Sequence, residues 1–276
     1  MKKSICHWSF HRLWEQEKWN TDALCEAAKR LGLDGIDFHA GMLQDPATAA
    51  QRIKSSLAKT GLALSGFSLS TNFAQEKPEA MALMMKQTRE WMRVAVDVGA
   101  PVSRIFGGSL RSGTDAQGRK AAGERVVGAL KELAEDAEKL KLVLALENHG
   151  GLPCRGEEQV EMIERVGSKY LRATVDVGNY MSCGQEGIDG TRLAAPYCAY
   201  VHFKDCRKKP DPKMPWGWNA ESVVLGQGVV DLAACLKLIK VAGFDGFVAL
   251  EYEAAQEERT GIAESVKHMT EVMKGY

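Results

Sequence analysis

Eight short apolar segments alternate with longer amphipathic segments along the whole chain, one pair about every thirty residues, and this rhythm constrains the fold most. The apolar segments are rich in Val, Leu, Ile and Ala and show little alternation with polar residues, which is typical of parallel strands buried on both faces. Eight strand–helix units in 276 residues match a (β/α)8 TIM barrel in number and size. The sequence therefore predicts one TIM-barrel domain covering 1–276. The predicted strands are 4–10, 34–39, 62–69, 102–108, 142–150, 172–179, 200–206 and 246–253.

A short sequence pattern that occurs twice in the chain supports this fold. The stretch "LGLDGIDFH" precedes the second strand and "AGFDGFVALE" precedes the eighth. In each, a glycine can end the preceding helix and an Asp-Gly turn can start the strand. The alternative is a doubly wound open sheet. It would favour a glycine-rich turn after the first strand, and "HWSFHRLWE" has none.

Composition excludes several classes of partner. Lysines plus arginines equal aspartates plus glutamates, 36 of each, so no net charge favours nucleic acid or an anionic membrane. The first twenty residues contain no continuous apolar stretch of the kind found in signal peptides. Seven dispersed cysteines without a CxxC pair argue against a zinc ribbon and fit a reducing compartment. We therefore expect a cytoplasmic protein.

The stretch "LALENHGG" shows where chemistry is concentrated, because an apolar strand ends there in an acid, an amide and an imidazole. The next three predicted strands also end in polar groups. Catalytic residues of TIM barrels lie at the C-terminal ends of the strands, and consecutive strands are neighbours. The polar residues at these four ends are Glu147, Asn148, His149, Asp176, Asn179, His202, Lys204, Asp205 and Glu251.

Three carboxylates and one imidazole are thus expected around one point. Bare carboxylates at short range repel one another, and a divalent cation removes that repulsion. Hard oxygen ligands with one histidine suit Mn²⁺, Mg²⁺, Co²⁺ or Zn²⁺. Taken singly, an acid at a strand end is usually solvated or caps a helix, and a lone histidine is usually a core residue. Four consecutive strands ending in metal-competent groups favour a site for one divalent metal ion.

Five stretches of the C-terminal half resemble, in order and spacing, the xylose isomerase-like barrel superfamily of sugar phosphate isomerases and epimerases. They are "LALENHGG", "ATVDVGN", "YVHFKD", "GQGVVD" and "DGFVALEYE". The superfamily also includes hydroxypyruvate isomerases, ketose 3-epimerases, inosose and dehydroshikimate dehydratases, and endonuclease IV. The N-terminal half agrees only in its strand–helix rhythm.

This resemblance implies that the metal ligands are Glu147, Asp176, His202 and Glu251. It also implies that Glu147 and Glu251 are the acid/base pair of an isomerase or epimerase. One glutamate would remove a proton next to the substrate carbonyl, giving a cis-enediolate held by the metal, and the other would return it. A cation is needed because such carbon acids are weak.

The chain departs from the ketose 3-epimerases in two places. They carry a histidine where this chain has Asn179, and "HFKD" looks more like the version in dehydratase-like members. Epimerisation at C3 of a free ketose is therefore not favoured, and a lyase that dehydrates an inosose or dehydroshikimate is the main alternative. The residues expected to contact substrate are His149, Asn179, Lys204, Asp205, His7, Trp8 and Trp216.

Two further functions are less favoured. An endonuclease IV-like nuclease needs additional histidines, and the chain has six in all. A non-catalytic sugar-binding barrel would not need both Glu147 and Glu251. We expect a small carbohydrate or keto-polyol substrate, without nucleic acid or membrane as partner. The Pro- and Trp-rich segment 207–228, treated as a loop, could cover the substrate or form a contact in a homo-oligomer.

Overall fold

The computed structural model describes residues 1–111 and 113–276. Its main sheet has eight strands in the order β1-β10-β7-β6-β5-β4-β3-β2, and every adjacent pair is parallel. The strands are β1 (Lys2–Ile5), β2 (Gly35–His39), β3 (Ala63–Ser68), β4 (Ser103–Phe106), β5 (Leu144–Glu147), β6 (Leu171–Asp176), β7 (Cys198–Phe203) and β10 (Phe247–Leu250). The predicted TIM barrel is confirmed.

The barrel closes between its first two strands. Cys6, directly after β1, forms an isolated parallel bridge with Asp37 of β2, and Lys3 donates its backbone N–H to the Asp34 carboxylate. This single bridge makes the contact between β1 and β2 the shortest ladder of the barrel, next to the two residue pairs between β3 and β4. All eight carboxyl ends meet at the same end of the barrel, which positions the site described below.

Within the described residues, ten α-helices surround or flank the barrel. They are α1 (His11–Gln16), α2 (Thr21–Arg30), α3 (Ala40–Leu43), α4 (Pro46–Thr60), α5 (Pro78–Asp97), α6 (Ala116–Leu140), α7 (Gly156–Val166), α8 (Gly187–Ala194), α9 (Leu232–Val241) and α10 (Glu258–Val272). Several begin at a side-chain cap, such as Asp115 before α6, whose carboxylate accepts the N–H of Gly118. None of the described helices is long and apolar enough to cross a membrane.

The barrel interior below the site is filled by small residues and one large ring. Cys6, Ala145, Tyr200 and Ala249 form a buried cluster distinct from the larger core that packs strands against helices. The Tyr200 ring crosses to β3, where a Cβ on Gly66 would lie 3.0 Å from it. Glycine at position 66 therefore makes room for the ring, whose hydroxyl lies 3.1 Å from Ser65 Oγ.

The Pro- and Trp-rich segment is the main difference from the expected elements. Most of it forms an antiparallel hairpin of β8 (Asp205–Pro210) and β9 (Trp218–Val223). The predicted seventh strand, 200–206, spans the end of β7 and the start of β8. These strands were not predicted, because their polar composition is typical of a loop. An exposed hairpin is stabilised by cross-strand pairs such as Arg207 with Glu221, whose charged atoms lie 2.6 Å apart.

The first predicted strand is also shorter than expected. β1 ends at Ile5, and the chain then turns through a 3₁₀ helix, His7–Phe10, into α1. Ser9 fixes the turn, because its hydroxyl donates to Leu250 O and accepts from the N–H of Tyr252. His7 and Trp8 thus lie on a turn at the mouth of the barrel, and not on a strand.

Two of the seven cysteines are not dispersed in space. Cys154, before α7, and Cys183, after β6, form a disulfide with a Cα–Cα distance of 6.1 Å. The sequence, in which the cysteines are dispersed along the chain, did not predict this pair. The two residues are 29 positions apart in sequence, so no local spacing pattern marked them.

Candidate active site

Four side chains from four neighbouring strands converge at the carboxyl end of the barrel. Glu147 ends β5, Asp176 ends β6, His202 lies near the end of β7 and Glu251 follows β10. One ligand atom from each lies within 4.8 Å of every other, and all four side chains are buried. The structure therefore brings together all four residues that the sequence predicted as metal ligands.

The cluster leaves polar atoms without hydrogen-bond partners at its centre. Asp176 Oδ2 and His202 Nδ1 have no hydrogen-bond partner, and Glu147 Oε2 and Glu251 Oε2 are each paired with a buried cation. Buried polar atoms are nearly always satisfied, so two unpartnered atoms between two buried glutamates need an explanation. Three carboxylate oxygens and one imidazole nitrogen are a donor set that fits a divalent ion such as Zn²⁺, Mn²⁺, Co²⁺ or Mg²⁺.

The three carboxylates do not share the same electrostatic environment. Burial raises the pKa of Asp176 to about 8, against the opposing effect of Lys204. Burial also acts on Glu147 and Glu251, but nearby cations outweigh it and lower the pKa of both, that of Glu251 well below its usual value. Both glutamates are therefore ionised and able to accept a proton.

Two buried cations produce this effect, one beside each glutamate. Arg104 of β4 places its Nε 3.0 Å from Glu147 Oε2, and its Nη1 donates to Leu69 O at 3.3 Å. Lys204 places its Nζ 2.6 Å from Glu251 Oε2 and 2.8 Å from Glu253 Oε2. The sequence predicted no role for Arg104, because its contact with Glu147 depends on which side chains meet inside the barrel.

Cys6 is a second residue whose place at the site was not foreseen. Its Sγ lies 3.4 Å from His202 Nε2, and Cys6, His202 and Glu251 form a second buried group with ligand atoms within 4.8 Å of one another. Burial raises the pKa of the Cys6 thiol to about 12, so it is neutral. A hydrogen bond at Nε2 fixes the ring orientation and leaves Nδ1 directed at the carboxylates, 3.4 Å from Glu147 Oε1. The sequence gave no signal for this contact.

Two asparagines link the acidic residues to one another. Asn179 donates from Nδ2 to Glu147 Oε1 at 3.1 Å and accepts from Lys204 Nζ at 3.0 Å. Asn148 pairs with the backbone of Asp176, donating to its carbonyl and accepting its N–H. Asn179 thus lies at the site as predicted, and Asn148 fixes the relative positions of β5 and β6.

The other predicted substrate contacts lie around the mouth. His149 is exposed and packs against Phe106 with a centroid distance of 4.3 Å. Trp8 donates its indole N–H to Glu253 Oε1 at 2.8 Å, which links it to Lys204. Trp216 packs on the turn that carries Asn179, because its ring lies 2.5 Å from a Cβ built on Gly184. Substrate contact by these residues stays a prediction.

His7 and Asp205 face elsewhere. His7 is fully buried against Trp14, and its Nδ1 accepts the N–H of His39 at 3.4 Å. Asp205 directs its carboxylate into the backbone after β9, where its two oxygens accept four N–H groups. The carboxylate of Asp205 therefore holds the backbone in place, and substrate contact by Asp205 stays a prediction. The donors are Cys206, Gly226, Gly228 and Val230.

The sequence matches one family model over most of its length. The model describes a xylose isomerase-like TIM barrel and matches residues 25–272. The chain belongs to the xylose isomerase-like TIM barrel family. A curated relative, the uncharacterized protein MJ1311 of Methanocaldococcus jannaschii, is 26% identical over 128 residues. That match spans 44% of this chain and 41% of the relative, so less than half of the relative's length is matched.

Solved structures share the fold of this family member at low identity. A zinc-bound crystal structure of the IOLI protein superposes with a TM-score of 0.80 at 18% identity, covering 100% of this chain and 99% of that one. D-Psicose 3-epimerase from Clostridium cellulolyticum H10, solved with D-tagatose, gives a TM-score of 0.78 at 15% identity, covering 99% and 98%. At these identities the likeness establishes the shared barrel.

Proposed function

We propose that this xylose isomerase-like barrel is a divalent-metal-dependent isomerase or epimerase of a small carbohydrate. The substrate would carry a hydroxyl next to a carbonyl, as ketoses and keto-polyols do. The observation that carries the proposal is the convergence of Glu147, Asp176, His202 and Glu251, which each place a ligand atom within 4.8 Å of the others. Asp176 Oδ2 and His202 Nδ1 also lack a hydrogen-bond partner. Similarity to a zinc-binding protein and to a sugar epimerase supports it.

These four residues would hold the ion. A bound divalent ion would supply positive charge that stabilises the oxyanion formed when a proton leaves the carbon beside a carbonyl. The remaining steps belong to the protein. Lys204 and Arg104 add fixed positive charge in a site that excludes water, where such charge acts strongly.

Glu147 and Glu251 would move the proton. They extend from β5 and β10, which are separated in the barrel by β6 and β7, so they approach the centre from different directions. The lowered pKa of each keeps it ionised until a substrate proton arrives. One carboxylate removes the proton from one face of the substrate, and the other returns a proton to the opposite face or to the neighbouring carbon.

The experiment is a screen of ketoses, hydroxypyruvate and inososes with Mn²⁺, followed by NMR in D₂O. Solvent deuterium appearing at the carbon beside the carbonyl is the expected result for wild type. Glu147→Gln is expected to reduce this exchange by about 10³-fold or more, because the amide cannot accept the proton. Glu135→Gln, an exposed glutamate on α6, is the matched control and should exchange at the wild-type rate.

Full exchange by Glu147→Gln would contradict the assignment of Glu147. Absence of exchange with every substrate in the metal-loaded wild type would contradict the proposed function itself.

A metal-dependent lyase is the second candidate, and Lys204 favours it. Its ammonium contacts Glu251 and lies 3.6 Å from Asp176, where it could protonate a leaving hydroxyl after the same first step. Beta-elimination would then replace reprotonation. The same NMR screen separates the two reactions, because a lyase converts the substrate to an unsaturated product with loss of water.

A further inference from the structure

A second cavity opens at the carboxyl ends of β1, β2 and β3, beside the proposed metal cluster. Its volume is about 500 Å³, and none of the four proposed ligands lines it. Cavities of roughly 300–1,000 Å³ are typical of small-molecule sites. A sugar bound only at the cluster would leave this space empty.

The cavity adjoins the cluster through two of its lining residues. Trp8 is hydrogen-bonded to Glu253, whose other oxygen contacts Lys204. His39 is 7% exposed, and the charges of Glu251 and Glu147 act on its imidazole. A single ligand could therefore reach from the cluster into the cavity.

The lining combines aromatic faces with neutral hydrogen-bonding groups. Trp8, Trp14 and Trp19 are all half-buried here, so each keeps part of its indole uncovered. Flat aromatic surface of this kind suits the apolar face of a sugar ring. Two charged residues, Glu15 and Lys18, lie at the exposed rim with opposite signs, so the cavity has no excess positive charge for a phosphate.

His39 supplies an unused hydrogen-bonding atom in this cavity. Its Nε2 lies 3.3 Å from Ser70 Oγ, whereas its Nδ1 has no partner. Burial and the Arg104 charge lower the pKa of His39 to about 3, so the ring is neutral and suits a hydroxyl group. This Nδ1 is itself buried, and a Cβ on Gly41 would lie 3.3 Å from it, so the atom lies behind Gly41 at the wall of the cavity.

We propose that this cavity is a second sugar subsite and that the substrate is a two-ring carbohydrate. One sugar unit, in its open-chain keto form, would present its hydroxy-carbonyl group to the metal cluster, and the second, uncharged ring would stack on the tryptophans and hydrogen-bond to His39. This inference rests on the proposed function and adds the size and neutrality of the substrate to it.

The test compares ligands that share the ketose ring and differ in the second ring. Lactulose, turanose and isomaltulose are titrated calorimetrically into the zinc-loaded protein and compared with D-fructose. We expect at least one disaccharide to bind about tenfold more tightly than fructose. Gly41→Ala places a methyl group 3.3 Å from His39 Nδ1, and His39→Phe removes this atom and keeps an aromatic ring. Each variant should reduce this preference to about twofold.

Gly128→Ala on α6 is the matched control, because a Cβ there meets no atom within 4 Å, and its preference should equal that of wild type. Equal affinity for fructose and all three disaccharides would overturn the subsite, as would an unchanged preference in both variants. Zinc content, measured on the same samples, reports separately on the cluster. A protein that holds one zinc but prefers no disaccharide would refute the subsite alone.

Discussion

Arg104 and Lys204 distinguish this site from a plain ring of acids. Each ammonium or guanidinium group contacts a different glutamate, so the two proposed proton carriers have different neighbours. Glu147 also accepts from Asn179, whereas Lys204 is shared between Glu251 and Glu253. The two carboxylates therefore differ in their surroundings even though both are buried and ionised.

Removing the Arg104 charge should destabilise the protein. In Arg104→Met, Glu147 would remain buried close to two other acids without its nearest cation. Losing one partner of a buried ion pair typically costs about 3–5 kcal/mol, and we expect a loss of unfolding free energy of that size. Urea denaturation of chelator-treated protein measures it.

Arg104→Lys is the control for the charge, since it keeps a cation in place of the guanidinium. It should lose clearly less stability than Arg104→Met. Equal stability of Arg104→Met and wild type would show that Glu147 does not depend on this pair.

The predictable part of the site consists of residues that end strands. Glu147, Asp176, His202 and Glu251 could be found because parallel strands place their carboxyl ends side by side. Cys6 and Arg104 could not be placed from sequence, because their roles depend on which interior side chain meets which across the barrel. Which side chains meet is determined by the register of the strands in the folded barrel.

Among the elements, the segment between β9 and α9 is held by one buried carboxylate. Asp205 accepts four backbone N–H groups, three of them from residues 226–230. Gly228 has no room for a side chain, since a Cβ would lie 2.1 Å from Asp205 Oδ1. The motifs "HFKD" and "GQG" thus form one structural unit across the hairpin.

Asp205→Ala should release this segment. Buried N–H groups left without acceptors cost about 1–3 kcal/mol each when water cannot reach them, so we expect at least about 2 kcal/mol of destabilisation. Hydrogen exchange of the Gly226 and Gly228 amides should accelerate by about tenfold or more, and mass spectrometry can follow it.

Asp211→Ala is the matched control, because its carboxylate accepts the N–H of Lys213 at the exposed tip of the same hairpin. It should change neither stability nor exchange at 226–230. Unaltered exchange in Asp205→Ala would show that other contacts hold the segment.

Element types were more predictable than element ends. The alternation of apolar and amphipathic segments gave all eight barrel strands, because burial on both faces demands it. The hairpin of β8 and β9 was not predicted, because its strands are exposed and carry charged pairs. The bend after Ile5 was not predicted either, because it is fixed by Ser9, whose hydrogen-bond partners are more than 240 positions away in the sequence.

At the scale of the whole molecule, the proposed ion would connect four neighbouring strands of the barrel through one point. Binding to the folded state alone stabilises a protein by about 2.7 kcal/mol at a ligand concentration of 100 Kd. We expect the melting temperature of chelated protein to rise by about 5 °C when Zn²⁺ or Mn²⁺ is added back. Calorimetry measures the shift.

Asp176→Asn, with one oxygen replaced by an amide, should reduce this shift to about 1 °C or less. Asp97→Asn, at the end of α5 on the surface, is the control and should keep it. A full shift in Asp176→Asn would place the ion elsewhere in the molecule.

The strands joined by the bridge between Cys6 and Asp37 lie in the N-terminal part of the chain, whereas the four proposed ligands lie in its C-terminal half. The acids and the imidazole of the cluster all lie within 147–251, whereas the cavity around this bridge, at the ends of β1, β2 and β3, is built from residues 8–70. The residues proposed for the reaction and the residues proposed for substrate selection would thus lie in separate stretches of the chain. Exchanging the first quarter of the polypeptide could redirect such a catalyst to a new sugar and leave its reactive machinery intact.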